Sequence, residues 1–191
     1  MGSQRLFIAL LVPQAVKDLI NGVIRESGDL FDKVSGFRSV SPENWHFTIT
    51  FLGNQKESEF GSIKDALIES VRTIQILKIN FESICYGPRG REPRMMWLVV
   101  DKATSAKLEN IKNIIERNLI KRGVNWQKDN RLFEGHLTIA RFLPTNRILL
   151  PNIEKTIKLD CELNLVHLMK STLLRTSAIY ESLGDFKFQK S

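Results

Sequence analysis

The pattern histidine, apolar residue, threonine, isoleucine stands twice in this chain, as His46-Phe47-Thr48-Ile49 and as His136-Leu137-Thr138-Ile139, 90 residues apart. In a strand, residues i and i+2 share a face. His46 and Thr48 then point one way while Phe47, Ile49 and Phe51 point the other, and His136 with Thr138 separates from Leu137 and Ile139 in the same manner. Each strand presents an imidazole beside a hydroxyl on an apolar back. A chain holding two such strands must bury both backs and leave both polar faces accessible, which favours a single body with an internal duplication.

The rest of the chain supplies the elements for such a body. Arg5 to Val12 reads as a first strand, and Pro13 sits where it opens the helix Gln14 to Glu26, with Val16, Leu19, Ile20, Val23 and Ile24 at 3.6-residue spacing. After the turn-rich stretch Ser27 to Pro42, the first histidine strand runs from Trp45 until Gly53-Asn54 ends it. Residues 57 to 74 have helical periodicity, and Ile76 to Tyr86 and Met95 to Val100 read as strands around a Gly/Pro/Arg loop. Thr104 is placed to cap a long helix that stops at Gly123. His136 to Phe142 is the second histidine strand, and Ile157 to Phe188 is strand-like, including Val166 to Leu174 and Ser177 to Tyr180. No low-complexity linker divides the chain, so residues 1–191 are expected to form one domain.

Composition excludes several alternatives. With 42% hydrophobic residues and 6 prolines the chain is neither disordered nor collagenous, and 191 residues bury a core without disulfide or metal staples. Cys85 and Cys161 are too few and too far apart for a disulfide framework and read as buried free thiols. The longest apolar run, Leu6 to Val12, falls far short of the roughly 20 residues of a membrane span, so a cytoplasmic protein without a membrane partner is expected. A net charge of +7 favours a polyanionic partner such as RNA without requiring one.

Two facing imidazoles match what in-line displacement at phosphorus needs. One takes a proton from water while the other gives a proton to the departing oxygen, and an unperturbed pKa near 6.5 makes both protonation states accessible. The threonine hydroxyls are donors for the non-bridging oxygens whose charge grows in the transition state. The three histidines and two cysteines show no close ligand pair, so neither a metal site nor a cofactor is expected. His167 has Met169 rather than threonine at +2 and reads as structural.

These motifs resemble the two-histidine (2H) phosphoesterases, most closely their RNA 2′,3′-cyclic phosphodiesterase branch, first described as 2′-5′ RNA ligases. The likeness runs along most of the chain. Arg5-Leu6-Phe7-Ile8-Ala9-Leu10 is similar to the opening strand, residues 42–53 to the first motif, Phe133 to Arg141 to the second, and Ser177-Ala178-Ile179-Tyr180 with Leu183 and Phe186 to the end. The resemblance implies an α+β fold of two pseudo-symmetric lobes, with antiparallel sheets lining a central cleft and helices outside. It implies His46 as proton donor to the leaving ribose oxygen, His136 as base for water, and Thr48, Thr138 and Arg141 as phosphate ligands. The implied partner is RNA with a 2′,3′-cyclic phosphate end or a related nucleotide, hydrolysed to a 2′-phosphate by a monomer, with 2′-5′ ligation as a reverse use of the same groups. The alternative is a non-catalytic RNA or nucleotide binder.

Four positions carry specific expectations. Arg141 lies five residues after His136, and strict parity aims it away, so a bulge or the strand's end must re-aim it. Gly135 stands where many relatives have proline, which should loosen the backbone there. Trp45 shares the core face with Phe47 and is expected to pack rather than stack on a base. Arg89, Arg91 and Arg94 lie on a turn, read as a solvated hairpin with RNA contact as the alternative. Lys107, Lys112, Arg117, Lys121 and Arg122 read as a soluble helix face.

Overall fold

An apolar run such as Leu6 to Val12 cannot alternate between core and water, and the chain buries it as a central strand. In the computed structural model, which describes residues 2–26, 34–144, 150–153, 155–174 and 178–189, strand β1 (Ser3–Leu11) is paired on both sides. Its neighbours are β3 (His46–Lys56) and β8 (Leu165–Leu173), both antiparallel. The other strands are β2 (Arg38–Ser39), β4 (Leu77–Gly87), β5 (Met95–Val100), β6 (His136–Arg141), β7 (Lys155–Leu163) and β9 (Ala178–Lys187). The helices are α1 (Gln14–Glu26), α2 (Phe60–Val71) and α3 (Lys102–Lys121). The fold is therefore α+β, as expected. Ser177 and part of the turn-rich stretch, residues 27–33, lie outside the described residues.

The strands form one antiparallel sheet in the order β7-β4-β5-β6-β3-β1-β8-β9, with β2 added beside β6. The sheet is two four-stranded halves that meet at the histidine strands, where the ladder between β3 and β6 has one registered pair, Phe47 with Leu137. Both side chains are buried, and Phe47 stacks on Phe81 at 5.9 Å between ring centroids. Helices from both halves cover the same face of the sheet. Leu6, Ile8 and Leu10 of β1 share one core with Val16 and Ile20 of α1, Ile63 and Leu67 of α2, and Leu108, Ile111 and Ile115 of α3. Phe7 and Ala9 point to the opposite face, with Met169, Leu11 and Tyr180. That opposite face is the one left for the polar sides of the two motifs.

Three local expectations are corrected. The first histidine strand does not end at Gly53-Asn54 but continues to Lys56, because Gly53 adopts φ +69° and the backbone turns there without leaving the sheet. Helix α3 begins two residues before Thr104. Asp101, at ψ 163°, is the cap, and its carboxylate accepts the Thr104 N–H at 2.7 Å. The Thr104 hydroxyl instead accepts the Asn80 N–H at 3.2 Å and ties the helix start to β4. Finally, Cys85 and Cys161 are not joined in a disulfide but are half-buried rather than buried, and burial pushes the Cys161 thiol up to about 11. Among the described residues no helix is long and apolar enough to cross a membrane.

Removing the α3 cap leaves first-turn N–H groups without an acceptor. Asp101→Ala should therefore lower unfolding stability by about 1 kcal/mol, measured by chemical denaturation.

Candidate active site

Directly opposed residues of an antiparallel ladder point to the same face. Continuing the Phe47–Leu137 register by one residue each way sets His46 across from Thr138 and Thr48 across from His136. The four polar side chains thus form a small square on the face away from the helices, each half-buried. The structure brings together all four residues that the two motifs single out. Among the described residues neither threonine hydroxyl has a hydrogen-bond partner, so both point donors at the shared face.

Each imidazole is held by the same device. His46 Nδ1 lies 2.7 Å from the Asn44 carbonyl, and His136 Nδ1 lies 2.7 Å from the Glu134 carbonyl. A carbonyl oxygen only accepts, so in both rings Nδ1 carries the hydrogen. The Nε2 atoms are left to exchange protons with whatever occupies the face. The local chain is shaped for this contact. Before His46, a 3₁₀ turn at Pro42–Asn44 aims the Asn44 carbonyl, and buried Trp45 donates its indole N–H to Val40 O at 3.0 Å. Trp45 is thus a packing residue, as its parity indicates.

Before His136, Gly135 is tightly fixed rather than loosened. Its N–H donates to Ser105 Oγ at 3.0 Å, its carbonyl accepts from Val100 N at 3.1 Å, and an added Cβ would meet Val100 at 2.7 Å and Leu108 at 2.8 Å. Proline at this position would lack the donated hydrogen. The reason for the correction is tertiary: α3 packs directly over the glycine.

Strand irregularities complete the face. Strand β5 pairs Met96 with Ala140 and Trp97 with Thr138, so Ile139 is an extra residue on β6. The bulge shifts the alternation by one and brings Arg141 to the side of His136 and Thr138. Its positive charge acts on both imidazoles. The first motif repeats the device. Strand β1 pairs Ile8 with Thr50 and Ala9 with Thr48, which leaves Ile49 as the extra residue. The expectation that Phe51 shares the core face with Phe47 and Ile49 is overturned by this second bulge. Phe51 is 53% exposed, and its ring lies 6.0 Å from Phe7, which in turn lies 5.0 Å from the His46 ring.

Aromatic rings frame the two histidines differently. Tyr180 stands edge-on to His46 at 5.2 Å, whereas Trp97 stacks on His136 at 3.9 Å with an angle of 23° between planes. The position of Trp97 is fixed from behind, since a Cβ on Gly87 would come within 2.3 Å of the indole. Tyr180 belongs to the closing segment that carries part of the family resemblance, without being marked there as a site residue, and Trp97 is marked by no motif. The signal that could have found Trp97 is its place in β5, the strand that must flank the second histidine.

Burial is the main influence on both imidazoles and disfavours their charged forms. It pushes His136 down to about 4 against the pull of the Glu134 carbonyl, with His46, Arg141 and Arg131 adding positive charge. His46 is lowered in the same direction, again chiefly by burial.

The remaining candidates lie outside the square. His167 is buried and bonds through Nδ1 to Asp185 Oδ1 at 2.7 Å, which also accepts from Ser182 Oγ at 2.6 Å, so it is committed to a structural pair. Arg89 pairs with Glu134 at 2.7 Å and braces the residue whose carbonyl holds His136. On α3, Lys112 pairs with Glu116, Lys121 with Glu69, and Arg122 with Asp65 and Glu69, which is a salt-bridged helix face.

The depressed His136 value has a definite sign for stability. Between about pH 6.5 and 4 the unfolded chain binds this proton and the folded chain does not, so the fold should lose stability as pH falls through that window. In NMR titration the His136 ring should show its midpoint near 4, and Trp97→Ala, which uncovers one ring face to water, should move it up towards 6.5.

Comparison with known proteins finds relatives along nearly the whole chain. The family described as LigT like Phosphoesterase matches residues 12–97. The chain is 30% identical over 190 residues to the RNA 2′,3′-cyclic phosphodiesterase of Archaeoglobus fulgidus, covering 96% of this chain and 99% of that one. It is also 30% identical to the RNA 2′,3′-cyclic phosphodiesterase of Methanocaldococcus jannaschii, over 95% and 99% of the two chains. Among solved structures, E. coli LigT complexed with 3′-AMP superposes with a TM-score of 0.77 at 20% identity, covering 97% of this chain and 98% of that one. E. coli LigT complexed with phosphate gives 0.75 at 18% identity, over 98% and 99%. With its length matched almost completely by such relatives, and with one histidine–threonine motif on each of the two strands where its half-sheets meet, this chain belongs to the LigT-like phosphoesterase family.

Proposed function

We propose that this protein hydrolyses RNA 2′,3′-cyclic phosphate ends by two-histidine acid–base catalysis. The observation that carries the proposal is the pair of imidazoles, each with Nδ1 donated to a backbone carbonyl two residues earlier and Nε2 left for the shared face. The names of the relatives support the substrate class.

His136, kept neutral by burial, is the base. Its Nε2 accepts a proton from water as the water oxygen attacks phosphorus. In-line geometry places the departing ribose oxygen opposite the water, beside His46, whose Nε2–H protonates it as the P–O bond breaks. Burial alone leaves His46 short of its proton, and the negative charge of the bound cyclic phosphate favours protonation at that ring. Thr48 and Thr138 donate to the non-bridging oxygens, and Arg141, brought round by the Ile139 bulge, neutralises the charge that grows there. If the departing oxygen is O3′, the product carries a 2′-phosphate, and the reverse reaction is 2′-5′ joining. Exposed Phe51 offers a ring on which the terminal base stacks.

A binder without chemistry would need donors for phosphate but no proton acceptor, and a neutral imidazole held in one tautomer is an acceptor. The mirrored placement of motifs, bulges and carbonyl contacts in the two half-sheets is accounted for by an internal duplication within a single domain, 1–191.

His46→Ala and His136→Ala should each lower turnover of a 2′,3′-cyclic-phosphate-ended RNA by about 100-fold or more while RNA binding stays within a few-fold. Parent turnover should survive EDTA, follow a bell-shaped pH profile belonging to the coupled pair, and yield predominantly 2′-phosphate against authentic standards. Normal turnover in either histidine variant would reject the mechanism. Phe51→Ala should raise KM several-fold with a smaller change in kcat, read from initial rates.

A further inference from the structure

A trans peptide group is planar, so its N–H and C=O point in opposite directions and fixing one end aims the other. The carbonyl that accepts the His136 Nδ1–H at 2.7 Å belongs to the Glu134–Gly135 peptide, and the N–H of that same peptide donates to Ser105 Oγ at 3.0 Å. The contacts therefore run from a hydroxyl of α3, through one rigid plane, to the imidazole. Hydrogen bonds in such a chain polarise one another, so the Ser105 contact also makes the Glu134 carbonyl a better acceptor.

The hydroxyl is itself firmly placed. Ser105 lies in the first turn of α3, its N–H donates to Asp101 O at 2.9 Å, and the neighbouring Thr104 is bonded to both Asp101 and Asn80. Around the same plane, the Glu134 side chain is tied to Arg89, and the Gly135 carbonyl accepts from Val100 N at 3.1 Å. The first motif is built differently. There the equivalent plane, Asn44–Trp45, is closed locally, its N–H donating to Pro42 O at 3.2 Å within the 3₁₀ turn. Two imidazoles with the same carbonyl contact are thus oriented by different means, His46 by its own turn and His136 by helix α3. The second device also depends on the glycine, because a proline at 135 has no N–H to give.

We propose that Ser105 is a positioning residue for the general base: by holding the Glu134–Gly135 peptide it keeps His136 in the tautomer whose Nε2 accepts the proton of the attacking water. The inference rests on the proposed reading of His136 as that base. A neutral imidazole carries one ring hydrogen. With it on Nδ1, Nε2 has a lone pair for the substrate side; with it on Nε2, the ring has no acceptor there. If the peptide turned away, Nδ1–H would lose its acceptor and the second tautomer would be populated. Ser105 belongs to a helix packed behind the sheet, so its loss acts on the chemical step and not on RNA capture.

The experiment uses the full chain with Ser105→Ala, which removes the acceptor, and Ser105→Thr, which keeps a hydroxyl. On a short RNA ending in a 2′,3′-cyclic phosphate, kcat of Ser105→Ala should fall about tenfold, the scale of one lost hydrogen bond, with KM within about twofold of the parent. Ser105→Thr should recover most of the loss. Nitrogen NMR of the imidazoles at neutral pH reads the tautomer directly. His136 of the parent should show Nδ1–H with a bare Nε2, Ser105→Ala should show a mixture, and His46 should look the same in both. Parent-like kcat or a parent-like His136 pattern in Ser105→Ala would overturn the proposal, as would an equal change at His46 or an equal loss in Ser105→Thr. If the parent opens no cyclic phosphate, the reading of the reaction fails, and the His136 signals still decide whether Ser105 sets the tautomer.

Discussion

A single backbone pairing, Phe47 with Leu137, is where two four-stranded half-sheets become one sheet. Both residues are almost wholly buried on the helix-covered side, and a one-residue slip would carry them to the opposite face. Burial of the apolar backs therefore sets the relation between the polar faces. His46, Thr48, His136 and Thr138 need no direct contact with one another to be aligned, because the core on the far side of the sheet aligns them. The helices contribute in the same indirect way: packing α1, α2 and α3 on one side leaves the other side to the polar square.

Regular alternation would have made that square poorer. Each motif strand inserts one extra residue three positions after its histidine, Ile49 in β3 and Ile139 in β6. In each case the bulge returns the fifth residue after the histidine to the polar face. The two strands use this equivalent position differently, Phe51 offering an exposed ring and Arg141 a positive charge. Pseudo-symmetry thus supplies matched imidazoles and hydroxyls, and a single residue type at a matched place breaks it. The histidines are differentiated again by their surroundings, with an indole against one face of His136 and the edge of Tyr180 against His46.

The electrostatics of the site follow from burial set against fixed dipoles and charges. Half-covered rings beside Trp97, Phe7 and Tyr180 resist protonation, and Arg141 adds to that resistance, while the carbonyls of Asn44 and Glu134 oppose it. Both imidazoles are therefore biased towards their neutral forms in the free protein. The proposed mechanism uses that bias directly at His136, and asks the charge of an anionic substrate to restore the proton at His46.

The sequence by itself determined the elements and the chemical pairs. Alternation around His46 and His136 marks strands with one polar and one apolar side, the apolar run of β1 marks a central strand, and the periodicity of α1 predicts its bounds, because spacing along one chain encodes which side of an element meets the core. Pairing across strands is not so encoded. Parity alone sets Phe51 on the wrong face, because the bulge that turns it is created by the register between β1 and β3, and for Arg141 parity shows only that such a bulge is needed. Gly135 is permissive by residue type alone, and its constraint comes from a helix about 30 positions earlier that packs over it. Trp97 carries no local mark, and Tyr180 is marked only as part of the closing segment, not as a neighbour of His46. Each gains its place by standing in a strand that tertiary structure lays beside, or across the face from, a motif strand, and only the folded sheet brings those strands together.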